Sequence, residues 1–444
     1  MSSCTAAWTL AVTVAGCGAP AEAPTADICA GAELHDDPPL MDGSDSVRGC
    51  LAYGWTRVLV GSGSFASVAP DGTVAALSNV SGSSWVTVLS WDGETLGSFP
   101  IDPTGDIVRI APGGGVVAAS FTGRIRRFAP SGNVEWSIDA GASISDLAVS
   151  PDGAVLISEY VDDSPTEAAH GVLSRYDADG TTGWSKTIRH AAAPALATRA
   201  DGAVAMTTRD ACSSPEPCRA SFDPNGADGP MVPGAQAASA VVLLDASGQT
   251  IGISDLDQDP QHPQGPLFVK SSFMGLGALT AEIRAWGGAT TPEKIEIDVD
   301  PNGDAHRISM DLPASPDALI TLDPRGSFCW ARHFAPMDDT ARAQIIGLFA
   351  SRAGVAVDVN GDVYKVHHVL HLSPSGQIVW RLDRANDGSM NDVALAGIDD
   401  TGDVVLSGRF DGAEDFDPGS ATDVKSADES HRRYITVLRP CTAR

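Results

Sequence analysis

Lysine and arginine number only 29 against 57 aspartates and glutamates, and nowhere do they cluster. The formal charge, 29 − 57 = −28, repels phosphate backbones, so nucleic acid is excluded as an expected partner. Beyond the N-terminus no run is long and apolar enough to cross a bilayer, and no sustained helical period occurs. Neither a membrane-spanning helix nor a helical bundle is therefore expected. Gly-x-Ser-x-Gly elbows, Walker loops, HExxH pairs and deaminase patterns are missing. The chemistries those motifs carry go with them. Gly-x-Gly strings such as Gly61-Ser-Gly63 sit in turns between strands, with no following helix to receive a phosphate. Aromatics amount to only 6 % of residues.

What is plentiful is glycine (46), proline (29) and small β-formers, with 43 % of the 444 residues hydrophobic. A chain of this length and composition buries a large core without disulfides. The mixture fits many short strands joined by tight turns. One phrase recurs: a hydrophobic pair, a Pro-Asp-Gly type turn, and a run of β-formers. It reads Val68-Ala-Pro-Asp-Gly-Thr-Val74, Ile110-Ala-Pro-Gly-Gly-Gly-Val116, Val149-Ser-Pro-Asp-Gly-Ala-Val155 and Thr198-Arg-Ala-Asp-Gly-Ala-Val204. Further versions are Val299-Asp-Pro-Asn-Gly-Asp304, Val357-Asp-Val-Asn-Gly-Asp-Val363 and Ile398-Asp-Asp-Thr-Gly-Asp-Val404.

A second hairpin alternates with the first. Its form is Asp-x-x-Gly or a relative, often with a tryptophan four residues after the glycine. Trp136, Trp184, Trp330 and Trp380 occupy that place. Two hairpins make four strands, and the phrases recur at about the 40–45 residues of a propeller blade. Radial closure protects the edges that such sheets would otherwise expose. The expected fold is an all-β propeller of seven blades, with eight as the alternative. Gly202 and Gly303 lie too far apart for one blade, and Leu267–Gly288 reads as an extra second hairpin there.

The last unit ends at Tyr434–Leu438 without an outer tryptophan strand, while Gly54-Trp55-Thr-Arg-Val58 has that pattern and lacks a blade. The N-terminal strand should therefore complete the C-terminal blade, with Trp55 as its packing tryptophan and a disulfide joining Cys50 to Cys441. Cys212 and Cys218 are spaced for a local loop staple. Six candidate cysteines in all allow fifteen pairings, so the connectivity stays open.

At the N-terminus, the apolar run Ala6–Ala15 leads into Val14-Ala-Gly-Cys17. This resembles the lipobox of bacterial lipoproteins, and the resemblance implies that Cys17 carries the lipid. Residues 1–16 then read as a signal peptide and 17–49 as a flexible tether rich in Pro, Ala and acids. Residues 50–444 form the propeller domain, with insertions near 209–236 and 252–296.

Thr401-Gly-Asp-Val-Val-Leu-Ser-Gly-Arg-Phe-Asp-Gly-Ala-Glu-Asp-Phe-Asp-Pro-Gly419 is similar to the signature of the bacterial SBBP-type β-propeller repeats. The Asp-x-x-Gly-x-x-x-Trp hairpins resemble the tryptophan-docking units of quinoprotein-like (PQQ-like) propellers. Both likenesses imply a propeller in a cell envelope, and in the second the outer tryptophan packs against a neighbouring blade. A quinone-dependent dehydrogenase would commonly show a vicinal cysteine pair, and none is present. No cofactor is expected.

Three constellations carry residue types capable of chemistry. Asp298, Asp300 and Asn302, followed by Gly303, resemble the opening of a calcium loop, but the twelfth position is Ser309, which lacks the bidentate carboxylate. His367, His368 and His371 are expected at and just after a solvated hairpin turn, where alternating strand geometry keeps them from converging. Glu414, Asp415 and Asp417 cannot be told from turn residues as glycosidase acids. The sequence thus points to a lipid-anchored, monomeric envelope propeller that binds or scaffolds an envelope protein or glycan. A polysaccharide-active enzyme is the alternative. The loops at Cys212–Cys218 and Gln258–Pro266 are the expected contact regions.

Overall fold

A computed structural model describes residues 33–36 and the strands and most turns of 46–441. Outside it lie residues 1–32, 37–45, 162–169, 211–238, 256–266, 285–293, 299–306, 335–343, 386–392, 427–431, 442–444 and some shorter gaps.

Seven sheets, each built on four antiparallel strands, follow one another along the chain. Blade 1 comprises Ala66–Val68, Val74–Val80, Ser83–Leu89 and Thr95–Ile101, and blade 2 comprises Ile107–Ile110, Val116–Ala119, Arg124–Phe128 and Val134–Asp139. Blade 3 follows as Ser143–Val149, Val155–Val161, His170–Tyr176 and Thr182–Arg189, and blade 4 as Ala191–Thr198, Val204–Asp210, Ser239–Leu244 and Thr250–Asp255. Blade 5 is Leu267–Phe273, Leu279–Arg284, Asp317–Leu322 and Phe328–His333. Blade 6 is Gln344–Ser351, Gly354–Gly361, Val366–Leu372 and Ile378–Ala385. Blade 7 is Val393–Ile398, Val404–Phe410 and Arg432–Pro440, completed on its outer edge by Leu51–Leu59.

The first strand of every blade touches the first strand of the next, and blade 7 touches blade 1, so these strands line the axis of a closed ring. Hydrophobic clusters fill the interfaces between blades. One holds Val88 and Phe99 of blade 1 with Val108 and Phe128 of blade 2; another holds Leu319 and Trp330 of blade 5 with Val357 and Leu370 of blade 6. The core is thus shared out between neighbours, which is why strands of blades read as nearly continuous runs of Val, Ile, Leu and Ala.

The recurring phrase has a local cause. In Ala69-Pro-Asp-Gly-Thr73 the Ala69 N–H donates to the Thr73 carbonyl and the Gly72 N–H donates to the Ala69 carbonyl. Proline presets the first turn residue, Asp71 accepts from the Thr73 N–H at 3.0 Å, and Gly72 takes φ +81°. A type I turn closed by a left-handed residue is the three-residue hairpin loop, and its last position favours glycine.

Seven blades and closure by the N-terminal strand agree with the sequence expectation, but two phrases do not mark blade turns. Val299–Asp304 lies between Lys294–Asp298 and Arg307–Asp311, a two-stranded hairpin outside the blade ladder. Leu267–Phe273 and Leu279–Arg284, read as an extra second hairpin, are the first two strands of blade 5, so its insertion falls between Arg284 and Asp317. Val357–Val363 starts inside the second strand of blade 6, whose turn is Ser351–Gly354. That turn lacks the Pro-Asp pair, so nothing in its composition announced it.

Within the stretch read as a tether, Glu33–Asp36 adds a parallel fifth strand to blade 5 and Ser46–Gly49 an antiparallel fifth strand to blade 6. Outer strands present unpaired backbone groups, and a passing segment satisfies them by strand addition.

Candidate functional site

The docking tryptophans set the blades against one another. The Trp55 indole N–H donates to the Trp91 carbonyl at 2.8 Å, Trp136 to Ala178 at 3.0 Å, Trp184 to Ala246 at 3.1 Å and Trp330 to Pro374 at 2.9 Å. Each acceptor is the first residue inside the second-hairpin turn of the next blade. The turn glycine lies under the ring: a Cβ on Gly93, Gly180 or Gly248 would come within 2.7, 2.8 or 2.9 Å of the indole. Glycine is needed there for its left-handed backbone and again for the close approach of the ring. Between blades 1 and 2 Phe99 fills the same place over Gly132, without the polar bond.

Trp380 differs. It is fully buried at the interface with blade 7, and its indole N–H has no acceptor among the described residues. The turn that would supply one is replaced by the junction of the two chain ends. Cys50 and Cys441 are disulfide-bonded there with Cα atoms 5.2 Å apart, and the Cys441 N–H donates to the Cys50 carbonyl. Around this seam Arg57 donates to the Gly93 carbonyl at 2.5 Å. Arg439 pairs with Asp403 at 2.8 Å and lies over the Trp91 ring, 5.2 Å from its centroid. Burial, then the neighbouring Asp399, pushes the Asp403 carboxyl above its ordinary range, with Arg439 opposing.

The first strands enclose an axial cavity of about 740 Å³, within the size range of small-ligand sites. Its wall is mostly Ala, Gly, Val, Leu and Ile, because strands converging on an axis leave room only for modest side chains. A bulge at Ile144/Asp146 aims Asp146 into the lumen. Its Oδ1 accepts from Leu147 N–H at 2.7 Å and from Arg109 Nη2 at 3.2 Å; its Oδ2 accepts from Leu196 N–H of blade 4 at 2.8 Å. Asp146 and Arg109 form the only ion pair on this wall among the described residues. Asp317 of blade 5 caps Ile345 N–H of blade 6 in the same manner, at 2.7 Å. Sequence reading did not single out these charges, although Arg109 and Asp146 each stand in an otherwise largely apolar first strand, which is a usable signal.

The histidines lie elsewhere than expected. His367, His368 and His371 are all buried in the third strand of blade 6, a correction that follows from the displaced turn. His368 Nδ1 meets Asp383 Oδ1 at 2.7 Å, and Arg381 Nε donates to the same oxygen at 2.5 Å. His367 faces the fully buried Asp358 at 3.3 Å on the opposite side of the sheet. His371 Nε2 donates to the Ala353 carbonyl, and burial lowers its pKa. Among the described residues no three His, Cys, Asp or Glu side chains gather as metal ligands.

Asp298 ends the strand Lys294–Asp298, while Asp300 and Asn302 lie outside the described residues, as do Cys17, Cys212 and Cys218. Asp415 accepts from the N–H groups of Asp417 and Asp423, so it shapes the small hairpin of Ala413–Asp415 and Val424–Ser426. Phe416 pins that hairpin to blade 7 by stacking near Phe410 and Tyr434, at centroid distances of 5.2 and 4.6 Å. Exposed acids elsewhere are turn formers: the hydroxyl of Ser247 holds Asp245 below the usual carboxylate range, and Arg199 does so for Asp201.

The antiparallel order puts two kinds of connection on opposite faces. First-to-second and third-to-outer strand links form a short-turn face; second-to-third and blade-to-blade links form the other. All the long connections, including 211–238, 256–266, 285–316 and 411–431, join strand ends on that second face.

No family model and no curated protein matches the chain. Among solved structures it is similar to BamB from Moraxella catarrhalis, with 14 % identity over 91 % of this chain and 96 % of that one and a TM-score of 0.37. It is also similar to virginiamycin B lyase from Staphylococcus aureus, with 12 % identity over 89 % and 99 % and a TM-score of 0.46. The Dos1 propeller gives 12 % identity over 88 % and 95 %, and a TM-score of 0.46.

Proposed function

We propose that this chain is a binding or scaffolding module, held at a cell envelope by a lipid on Cys17, that meets its partner through the long-connection face. The observation carrying this reading is the one-sided placement of the long connections: one face is trimmed to tight turns while the other bears every long insertion. Loops on a rigid frame can vary in length and chemistry without disturbing the core, and binding surfaces concentrate there.

Strand direction supports the same orientation. Glu33–Asp36 runs parallel to Phe328–His333, which starts at the short-turn face. The chain upstream of Glu33 therefore reaches the ring from that side. Fifteen residues lie between Cys17 and Glu33, and an unstructured chain of that length would have an end-to-end distance of roughly 20–25 Å. A lipid on Cys17 would keep the short-turn face toward the membrane and leave the long-connection face free.

Photo-crosslinkers placed at residue 225 and at Asp179 in cells test the reading. Adducts to one partner from 225 and none from Asp179 are expected; adducts arising only from Asp179 would overturn it. Labelling with a fatty-acid probe tests the anchor separately. Cys17→Ser is expected to abolish incorporation, and undiminished label would refute lipidation there.

A further inference from the structure

The axial cavity of about 740 Å³ reaches the short-turn face, because its wall includes the turn residues Ala69 and Pro70 and the last strand residues Ile110, Val149, Thr198 and Ile398. Asp146 is engaged on both oxygens by Leu147, Leu196 and Arg109, so it has little left for a cation. Arg109 is the opposite case. Its side chain lines the lumen with 33 % of its surface exposed. Of the five N–H groups of a guanidinium, Nη1 donates one to the Val108 carbonyl at 3.0 Å and Nη2 one to Asp146 at 3.2 Å. The Nε proton and one proton on each Nη are left without an acceptor among the described residues. Ser67 Oγ accepts from the Ile110 N–H at 3.2 Å, which leaves its hydroxyl proton as a further donor on the same wall.

We propose that the axial cavity binds a small aliphatic monocarboxylate, with its head group on Arg109 and its chain along the apolar wall. Donors in excess call for an acceptor. The Arg109–Asp146 pair rests on one bond rather than a two-bond fork, so the guanidinium has room for a second carboxylate. Such charge-assisted bonds are stronger in a low-dielectric site than in water. The rest of the wall, with Val68, Ala197, Leu348 and Ile398 among its members, offers apolar burial and no second cation among the described residues. The net charge of −28 opposes a multiply charged anion such as phosphate more than a single charge. This site lies apart from the long-connection face and does not depend on the partner proposed there.

Calorimetric titration of the full-length protein with octanoate, octan-1-ol and inorganic phosphate gives the test. Octanoate is expected to bind saturably at one site, and more tightly than either of the others. Arg109→Met should weaken octanoate by roughly 10–100-fold while changing octan-1-ol by less than about twofold. The proposal is overturned by a wild type that shows no saturable octanoate binding, or that binds phosphate or octan-1-ol more tightly. Unchanged octanoate affinity in Arg109→Met, or equal losses for octanoate and octan-1-ol, would overturn it too. If that variant fails to fold, Ala350→Phe decides, because it fills part of the lumen and leaves the ion pair in place. It should weaken octanoate and octan-1-ol alike, and undiminished octanoate binding would overturn the site.

Discussion

A buried tryptophan contributes area wherever it sits, but only some of those in this ring also make a polar bond. Trp330 donates to Pro374, whereas Trp380 is equally buried and bonds nothing described. Both lose similar volume on replacement by phenylalanine, so the difference between the variants reads the hydrogen bond. Trp330→Phe should be more destabilising than Trp380→Phe by about 1 kcal/mol in urea unfolding. Two buried titratable groups pull stability in opposite directions with pH. Burial lowers the pKa of His371, so the unfolded chain takes up a proton first as the pH falls below about 6.5. Its contribution is complete above that value and is lost on acidification. Burial raises the pKa of Glu159, with the Ala142 N–H opposing, so its cost falls at neutral pH. Unfolding midpoints at pH 7.5 and 5 should show His371→Gln with a smaller acid loss, and Glu159→Gln with a gain that is larger at pH 7.5 than at pH 5.

Turns and bulges are where the elements depart from their simplest reading. Blade 6 illustrates the limit of sequence legibility. Its turn, Ser351-Arg-Ala-Gly354, needs only one glycine with positive φ, while the Asn360-Gly361 pair further along looks like a better turn and ends a strand. Shifting the turn by this amount moved His367 and His368 from an expected solvated loop into a buried strand. In blade 5 the inserted hairpin carried a turn phrase of its own, which made the count of phrases equal the count of blades for a partly wrong reason. The docking tryptophans, by contrast, were readable, because glycine and tryptophan four residues apart are needed at two successive blades together. The axial ion pair was not read: a single Asp in Ser143–Val149 has no periodic signature, and its partners come from blades 2 and 4. Asp146→Ala should cost roughly 1–3 kcal/mol, mainly by leaving the Leu196 N–H bare. Asp146→Asn, which keeps an acceptor oxygen, should recover part of that loss in the same thermal scans.

For the whole molecule, what matters is how the ring is shut. The outer strand of blade 7 and its partner come from opposite ends of the chain, and Cys50–Cys441 joins them across 391 residues. A link closing so long a loop removes much freedom from the unfolded chain, with a contribution of about 4 kcal/mol. Cys50→Ser should therefore lower the melting temperature in oxidising buffer and leave it equal to wild type in excess reductant; equal values in both buffers would disprove the role. The Trp55 strand is made well before its partner Arg432–Pro440, with Thr56 and Thr436 380 residues apart. At roughly 5–20 residues per second that is a wait of about 20–80 s. During biosynthesis, six blades can assemble while Leu51–Leu59 remains an unpaired edge, the kind of surface that joins neighbouring nascent chains. A circular permutant that joins residue 441 to residue 50 and opens between blades 2 and 3 would let every blade be made from contiguous chain, and should refold from urea with less aggregate.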